Sequence, residues 1–447
     1  MLLASAWWRL LVAACVIAGL WMAVLWVAPQ TPSISPAQAP AEVAARPAAL
    51  AAEAGNPLHA VVQSGAPAPM GGRFDQFDVR GEPVIAPVNA RNQVAFHATV
   101  LHSPVREGIF IASSGHVHTL AAYGDPVPGG GTFAGFEHPL PTLNAAGHVA
   151  FVAQIAGGRA TEGMFLADEE GVHAIALAGH DAPGLPSGVL LGFDAPALND
   201  NDELSFVASV RRGRDLLDVL YFWSGQRLQR VVAETERLIR IGGTMDKIGT
   251  PALNNSGVIA FPATILKGPE LGGIFVAGAR ELRLLVAAGE RLAPGMILRF
   301  SEHVAIDDAD AIVFGAYVGD ERNGREAVLR TGSEGLAVVA FEGEAAPGGD
   351  RYAGFGPWPT AAPDGSTAFI AALDGGPGLL AAYLGGSGAV QRIATMGETL
   401  PQGGRIGRFA LHAVAAAGPG GRLTFTTAAQ QEGEANAIYC LCPVVGQ

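Results

Sequence analysis

A few histidines and carboxylates recur at one phase of a repeating pattern, and they are the residues of this chain best equipped to do chemistry. His138 and His412 stand 13 residues before Phe151 and Phe425, and Glu302 and His303 stand 12 and 11 residues before Phe314. An imidazole exchanges protons near neutral pH and ligates metals, while a carboxylate beside it supplies the complementary base. Converging on one axis, His138, Glu302, His303 and His412 would form a channel-mouth hydrolase or lyase site. Set apart, they are ordinary polar rim residues. Glu137, Asp194 and Arg80 fall nearby in phase. A second set is acidic, in Asn199-Asp200-Asn201-Asp202-Glu203 and Asp307-Asp308-Ala309-Asp310. Hard cations take clustered oxygens, so Asp200, Asp202, Asp307, Asp308 and Asp310 are the candidate calcium ligands. Neither copy has the alternating ligands of a full calcium loop, and a solvated turn is the competing reading. Cys440 and Cys442 would make a soft-metal or redox pair, or else two small apolar residues in a last strand, where a bond between them would be strained. No GxSxG elbow, Walker loop, HExxH or CxxC pair is present.

The elements that must position these residues are repeats. The aromatic of the stretch Pro141 to Ala153 returns as Phe96, Phe151, Phe206, Phe261, Phe314, Phe369 and Phe425, in steps of 55, 55, 55, 53, 55 and 56 residues. So long a fixed period marks one supersecondary unit repeated. Each unit carries a turn such as Asn144 to Gly147, whose last position suits a left-handed backbone. Then comes a strand alternating with period 2, then two more short strands. A Gly-Pro element, as at Gly179 to Pro183, leads to the next unit, and bulky pairs such as Phe133 and Phe136 follow it. We read those pairs as loop residues packed between units. Repeats begin at Leu58 to Ser64, in the phase of a fourth strand, and end at Ala437 to Leu441, in the phase of a third. The predicted fold is therefore all-β: a seven-bladed β-propeller over residues 57–447 whose N-terminal strand closes the last blade and leaves only short, protected edges.

The copies LNAAGHVAF, LNNSGVIAF and VNARNQVAF resemble the Asn-x-x-Gly-x-Val-Ala-Phe repeat of exported bacterial proteins, and WPTAAPDGSTAFIA resembles the repeat of TolB-type propellers. The first resemblance implies an exported, anchored repeat protein, and the second implies a propeller. Neither carries a catalytic residue onto this chain. Ala362 and Gly418 stand where the pattern wants Asn, so copies six and seven depart from it.

Outside the repeats, Leu10 to Pro29 is an uncharged apolar run long enough for one transmembrane helix, with Trp7, Trp8, Trp21 and Trp26 near its ends. Arg9 is the nearest fixed positive charge and places residues 1–9 in the cytoplasm. Residues 30–56, rich in Ala and Pro, read as a disordered linker. The expected location is the inner membrane, with the propeller in the periplasm or at the cell surface. The alternative is secretion after cleavage near Ala37-Gln38-Ala39. A net charge of −13 without a basic run excludes a nucleic-acid partner. The function expected is a noncatalytic module whose broad face binds a protein, peptide or glycan, with the hydrolase or lyase and an envelope spacing or assembly protein as alternatives. Partner contacts are expected on the loops at Arg211 to Asp218 and Lys267 to Leu271, which depart most from the other repeats.

Overall fold

The computed structural model describes residues 57–77, 84–136, 140–278, 281–293, 295–320, 323–333, 335–374, 380–386, 389–400, 405–409, 414–428 and 436–443. The helix expected at 10–29 and the linker at 30–56 lie outside the described residues. Among the described residues, no helix is long and apolar enough to cross a membrane. They form seven antiparallel sheets, the blades of an all-β propeller.

Blade two shows how the sequence builds a unit. Val149–Ala156 pairs with Glu162–Asp168, which pairs with the outer strand Gly171–Leu177. The inner strand is split. Thr132–Gly135 and Thr142–Leu143 pair separately with the two ends of Val149–Ala156, and the register breaks between Phe133 and Gly135. The reading of Phe133 as a loop residue is corrected accordingly: it belongs to the first inner segment. Blade five differs again: its inner strand runs unbroken from Gly295 to Ile306, with a register shift between Phe300 and Val304.

The repeat phenylalanines sit at the centre of these sheets and explain the period. Each faces a residue of the third strand, in the pairs Phe96↔Phe110, Phe151↔Phe165, Phe206↔Tyr221, Phe261↔Phe275, Phe314↔Leu329, Phe369↔Tyr383 and Phe425↔Tyr439. In the first pair the rings stack with centroids 5.5 Å apart. Burying one such side chain contributes roughly 1.5–3 kcal/mol, and an aromatic pair about 0.5–1.5 kcal/mol more. Phe133, Phe136, Phe151 and Phe165 share one core cluster with Ala95, Ile109 and Ala121 of blade one, so the bulky pairs do pack between blades.

Turn chemistry follows the sequence closely. The last turn positions Asn92, Gly147, Asp202, Gly257, Asp310, Gly365 and Gly421 all take φ between 60° and 90°. Thr235 takes φ 66° where the other Gly-Pro elements begin with glycine.

The ring closes as expected. Leu58–Gln63 pairs with Ala437–Leu441, Ala60 opposite Tyr439 and Val62 opposite Ile438. Cys440 and Cys442 are buried in an apolar cluster with Val62 and Ile438, as small side chains of a last strand would be, and they also form a disulfide, which that reading did not include. The chain leaves the strand after Leu441, and the two Cα atoms come to 5.3 Å, within disulfide reach.

What the Asn-x-x-Gly turn does beyond turning is visible between blades. Asn89, Asn144, Asn199 and Asn254 are buried, and each side-chain carbonyl oxygen accepts N–H groups of its own turn. Each Nδ2 then donates to the backbone carbonyl of the matching residue in the next blade, at 3.0, 3.2, 3.0 and 3.1 Å. Asp307 lacks that donor, and blade five replaces it with Arg330. The guanidinium bonds the Asp307 carboxylate and donates to Gly365 O and Thr367 Oγ1 of blade six. Blade six has Ala362, and there Thr360 donates to Ala415 O and accepts from Ala417 N. Blade seven has Gly418, and Thr424 donates to Ala86 O while Arg422 Nε donates to Asn92 Oδ1. All seven blade junctions are thus held by side-chain hydrogen bonds, each worth about 1 kcal/mol net and more when its loss strands a buried partner.

Candidate functional site

These clamps absorb the acidic turns. Asp200 accepts from Ala145 N and Asn255 Nδ2, Asp202 from Asn144 Nδ2 and the ring of His148, Asp308 from Asn255 N and Nδ2, and Asp310 from Asn254 Nδ2. Asp307 is paired with Arg330. Asp200, Asp202, Asp308 and Asp310 therefore act as acceptors between neighbouring blades, and Asp307 as the acceptor of Arg330 and of its own turn. Among the described residues, no group of three or more His, Cys, Asp or Glu side chains is placed to hold a metal ion.

The innermost segments carry the remaining chemistry. His138 and His412 lie outside the described residues, as do Glu137 and Arg80, so of the histidine set the structure places Glu302 and His303. Both belong to the inner strand of blade five, just before its turn. The neighbouring inner segment of blade four runs alongside: Thr250 N donates to Glu302 O at 3.1 Å, and Thr250 forms a parallel bridge with His303. Glu302 is exposed. Asp194 is exposed on the corresponding segment of blade three.

His303 lies flat on Trp358 of blade six, ring centroids 3.8 Å apart and planes 4° apart. The residues at the same phase in the other blades are Ile85, Leu140, Ala195, Thr250 and Val414. Only blades five and six therefore present an aromatic and titratable pair at this level. Ser301 Oγ fixes the backbone beneath it, donating to His303 O at 2.9 Å and accepting from Gly315 N. The Nδ1 of His303 is buried and has no hydrogen-bond partner. Burial pulls its pKa down to about 4, so the ring is neutral at physiological pH. Burial, and the absence of a partner for the N–H that protonation would require, disfavour an imidazolium here.

A stability consequence follows from that depressed pKa. The unfolded chain takes up a proton near pH 6.5 and the folded one only near 4, so the contribution is complete above about 6.5 and is lost as pH falls toward 4. His303→Gln is expected to remove this slope. Thermal melts of both proteins between pH 7.5 and 4 should diverge by about 2–3 kcal/mol, and parallel curves would refute the burial argument.

Two residues at or beside these sites were not singled out from the sequence. Trp358 was visible only as a conspicuous residue at the phase of His303. Arg330 had a sharper signal. In the third strands its register counterparts are Ile111, Leu166, Phe222, Val276, Leu384 and Cys440, so the only cation of the set stands in the blade whose turn starts with Asp instead of Asn.

Among solved structures, the chain is similar to an oligogalacturonate lyase in complex with manganese, with a TM-score of 0.48 and 11% identity over 87% of this chain and 97% of that one. It is also similar to a polysaccharide lyase, with a TM-score of 0.46 and 9% identity over 82% and 91%. A puromycin-hydrolysing peptidase of Mycobacterium tuberculosis gives a TM-score of 0.42 and 14% identity over 81% and 53%. No curated protein matches the chain in sequence. One family model matches it twice, over residues 38–219 and 214–439, so that both halves of the ring are covered and the chain belongs to the family described as Family of unknown function (DUF7453).

Proposed function

We propose that the protein is a noncatalytic binding module held outside the cytoplasmic membrane, and that its propeller takes a protein, peptide or glycan segment at the broad face around its central channel. The observation that carries this reading is the His303–Trp358 stack beside the exposed Glu302, set among inner residues that are otherwise apolar or small. The recurring polar groups of the turns are committed to clamps between blades, which leaves this pair as the chemically distinct part of the channel wall. A base whose pKa is near 4 has little driving force for proton abstraction at neutral pH, which favours recognition over acid–base catalysis. The Cys440–Cys442 disulfide supports an oxidising, extracytoplasmic compartment.

The hydrolase or lyase remains the second reading, because Glu302 and His303 adjoin and an exposed carboxylate is free to act as a base. The test is co-purification of the full chain from detergent-solubilised membranes, comparing wild type with Glu302→Gln and Trp358→Phe. A stoichiometric partner is expected with wild type, reduced about tenfold or more with either variant. Retention by both variants would move the partner away from the channel, and no partner at all would favour the spacing role.

A further inference from the structure

The exposed apolar side chains of the described residues are unevenly placed. Of the five large ones, Leu216 (62% exposed), Ile239 (90%), Leu266 (52%) and Leu271 (78%) belong to blades three and four or the loop between them. Leu216 follows the hairpin turn at Gly213 and Arg214, and Leu266 and Leu271 bracket the corresponding loop of blade four. Ile239 sits in the loop joining the two blades. That loop presses on the blade-four loop, so closely that a Cβ on Gly243 would meet the Gly268 backbone at 2.6 Å.

Cations surround these tips. Arg211, Arg212, Arg214, Arg237 and Lys267 are exposed, and none of their side chains has a hydrogen bond or ion pair among the described residues. The acids standing with them are Asp215 and Glu270. Glu236 is paired with Arg230, and Arg240 is paired with Glu281. Nearby, Asp218 accepts from Ser209, Glu234 from Asp218 N, and Asp246 from Thr264. Hydrogen bonds leave Asp218, Glu234 and Asp246 charged, so the region as a whole is near balance, but these three are half-buried. The exposed residues of the tips themselves are mainly cationic, Arg211, Arg212, Arg214, Arg237 and Lys267 against Asp215 and the half-buried Glu270, on a chain of net charge −13.

We propose that these loops dock on an anionic lipid surface. Aliphatic side chains standing singly on convex loop tips have no groove to fill. No Trp or Tyr is among them, although such rings anchor most protein interfaces. Leucines flanked by Arg and Lys match a bilayer face instead, where buried methylenes contribute about 0.8 kcal/mol each and each cation near anionic headgroups about 1 kcal/mol. The apolar run and linker expected at the N-terminus would hold the propeller within roughly 30 Å of a membrane. At that range even weak docking becomes favourable through effective concentration.

The chain has only two lysines, Lys247 and Lys267, and the second lies on a docking tip, which makes amine acetylation a direct probe. The full chain is placed in nanodiscs of phosphatidylcholine alone or with about one-third phosphatidylglycerol. A chain that purifies as soluble protein is mixed with vesicles of the same two compositions. Acetylation of Lys267 is expected to slow about fivefold or more with the anionic lipid and to recover at high salt. Recovery is also expected in Arg211→Glu/Arg212→Glu/Arg214→Glu and, separately, in Leu216→Ser/Leu271→Ser. Equal rates in the two lipids would overturn the proposal and leave this face to a protein partner. Protection unchanged in both variants would overturn it as well. Both sets of substitutions lie on exposed tips, and neither includes the channel residues, so failure here leaves the channel reading standing.

Discussion

Arg330→Met is expected to destabilise the propeller by about 3–5 kcal/mol, and adding Asp307→Asn to recover most of that loss. The Asp307 side chain is 1% exposed and the guanidinium that neutralises it is 27% exposed, so removing the cation strands a carboxylate away from water. The same change releases Gly365 O and Thr367 Oγ1, the two groups of blade six that Arg330 holds at 2.8 and 3.0 Å. Asparagine at 307 would carry no charge. Its Nδ2 would face the carbonyl of Ala362, the partner that the corresponding amide finds in blades one to four. Urea denaturation of wild type, both single variants and the double variant gives the coupling directly. The account fails if the double variant is no more stable than Arg330→Met alone, because the Asn and Arg solutions would then not be interchangeable.

That prediction also shows what a single sequence can and cannot display. Period, turn phase and ring closure were legible because each is a local rule repeated seven times. Phe96 to Phe425 mark a buried cross-strand pair, and Asn92 to Gly421 mark one left-handed position. The split inner strand was not legible. Thr132–Gly135 and Thr142–Leu143 pair separately with one strand, and no composition change announces two segments. The disulfide is hidden in the sequence because a strand continued through Cys442 would hold the two thiols apart, whereas the strand ends at Leu441. The turn aspartates resemble calcium ligands locally because the partners of Asp200, Asp202, Asp308 and Asp310 are 53 to 58 residues away in other blades, and that of Asp307 is 23 residues away across its sheet. Of the inner-strand residues, His303 stands out by residue type and phase. Its pairing with Trp358, one blade further on, depends on two inner segments lying side by side, and that information is wholly tertiary.

The second large effect is expected from a change of one atom. Asn254→Asp keeps the acceptor that holds Ser256 N and Val258 N, at 3.2 and 2.9 Å, and deletes the donor to Asp307 O and Asp310 Oδ1, at 3.1 and 2.7 Å. A new carboxylate would then face Asp310 across the distance of a hydrogen bond, in a residue 3% exposed. Unpaired burial and like charge together should cost about 3–4 kcal/mol at neutral pH. Both effects raise the folded pKa of the new group above its unfolded value. Its deficit should therefore be full well above that folded pKa and shrink as pH falls through it, when a proton restores neutrality and a donor. Asn254→Ala loses the same donor and the acceptor too, yet introduces no titrating group, so its deficit should stay level with pH. Thermal melts of the two variants against wild type between pH 8 and 4 separate these outcomes. Parallel deficits would mean that the turn amide is held for its shape alone, and that the hydrogen bond to the next blade contributes little to keeping the ring together.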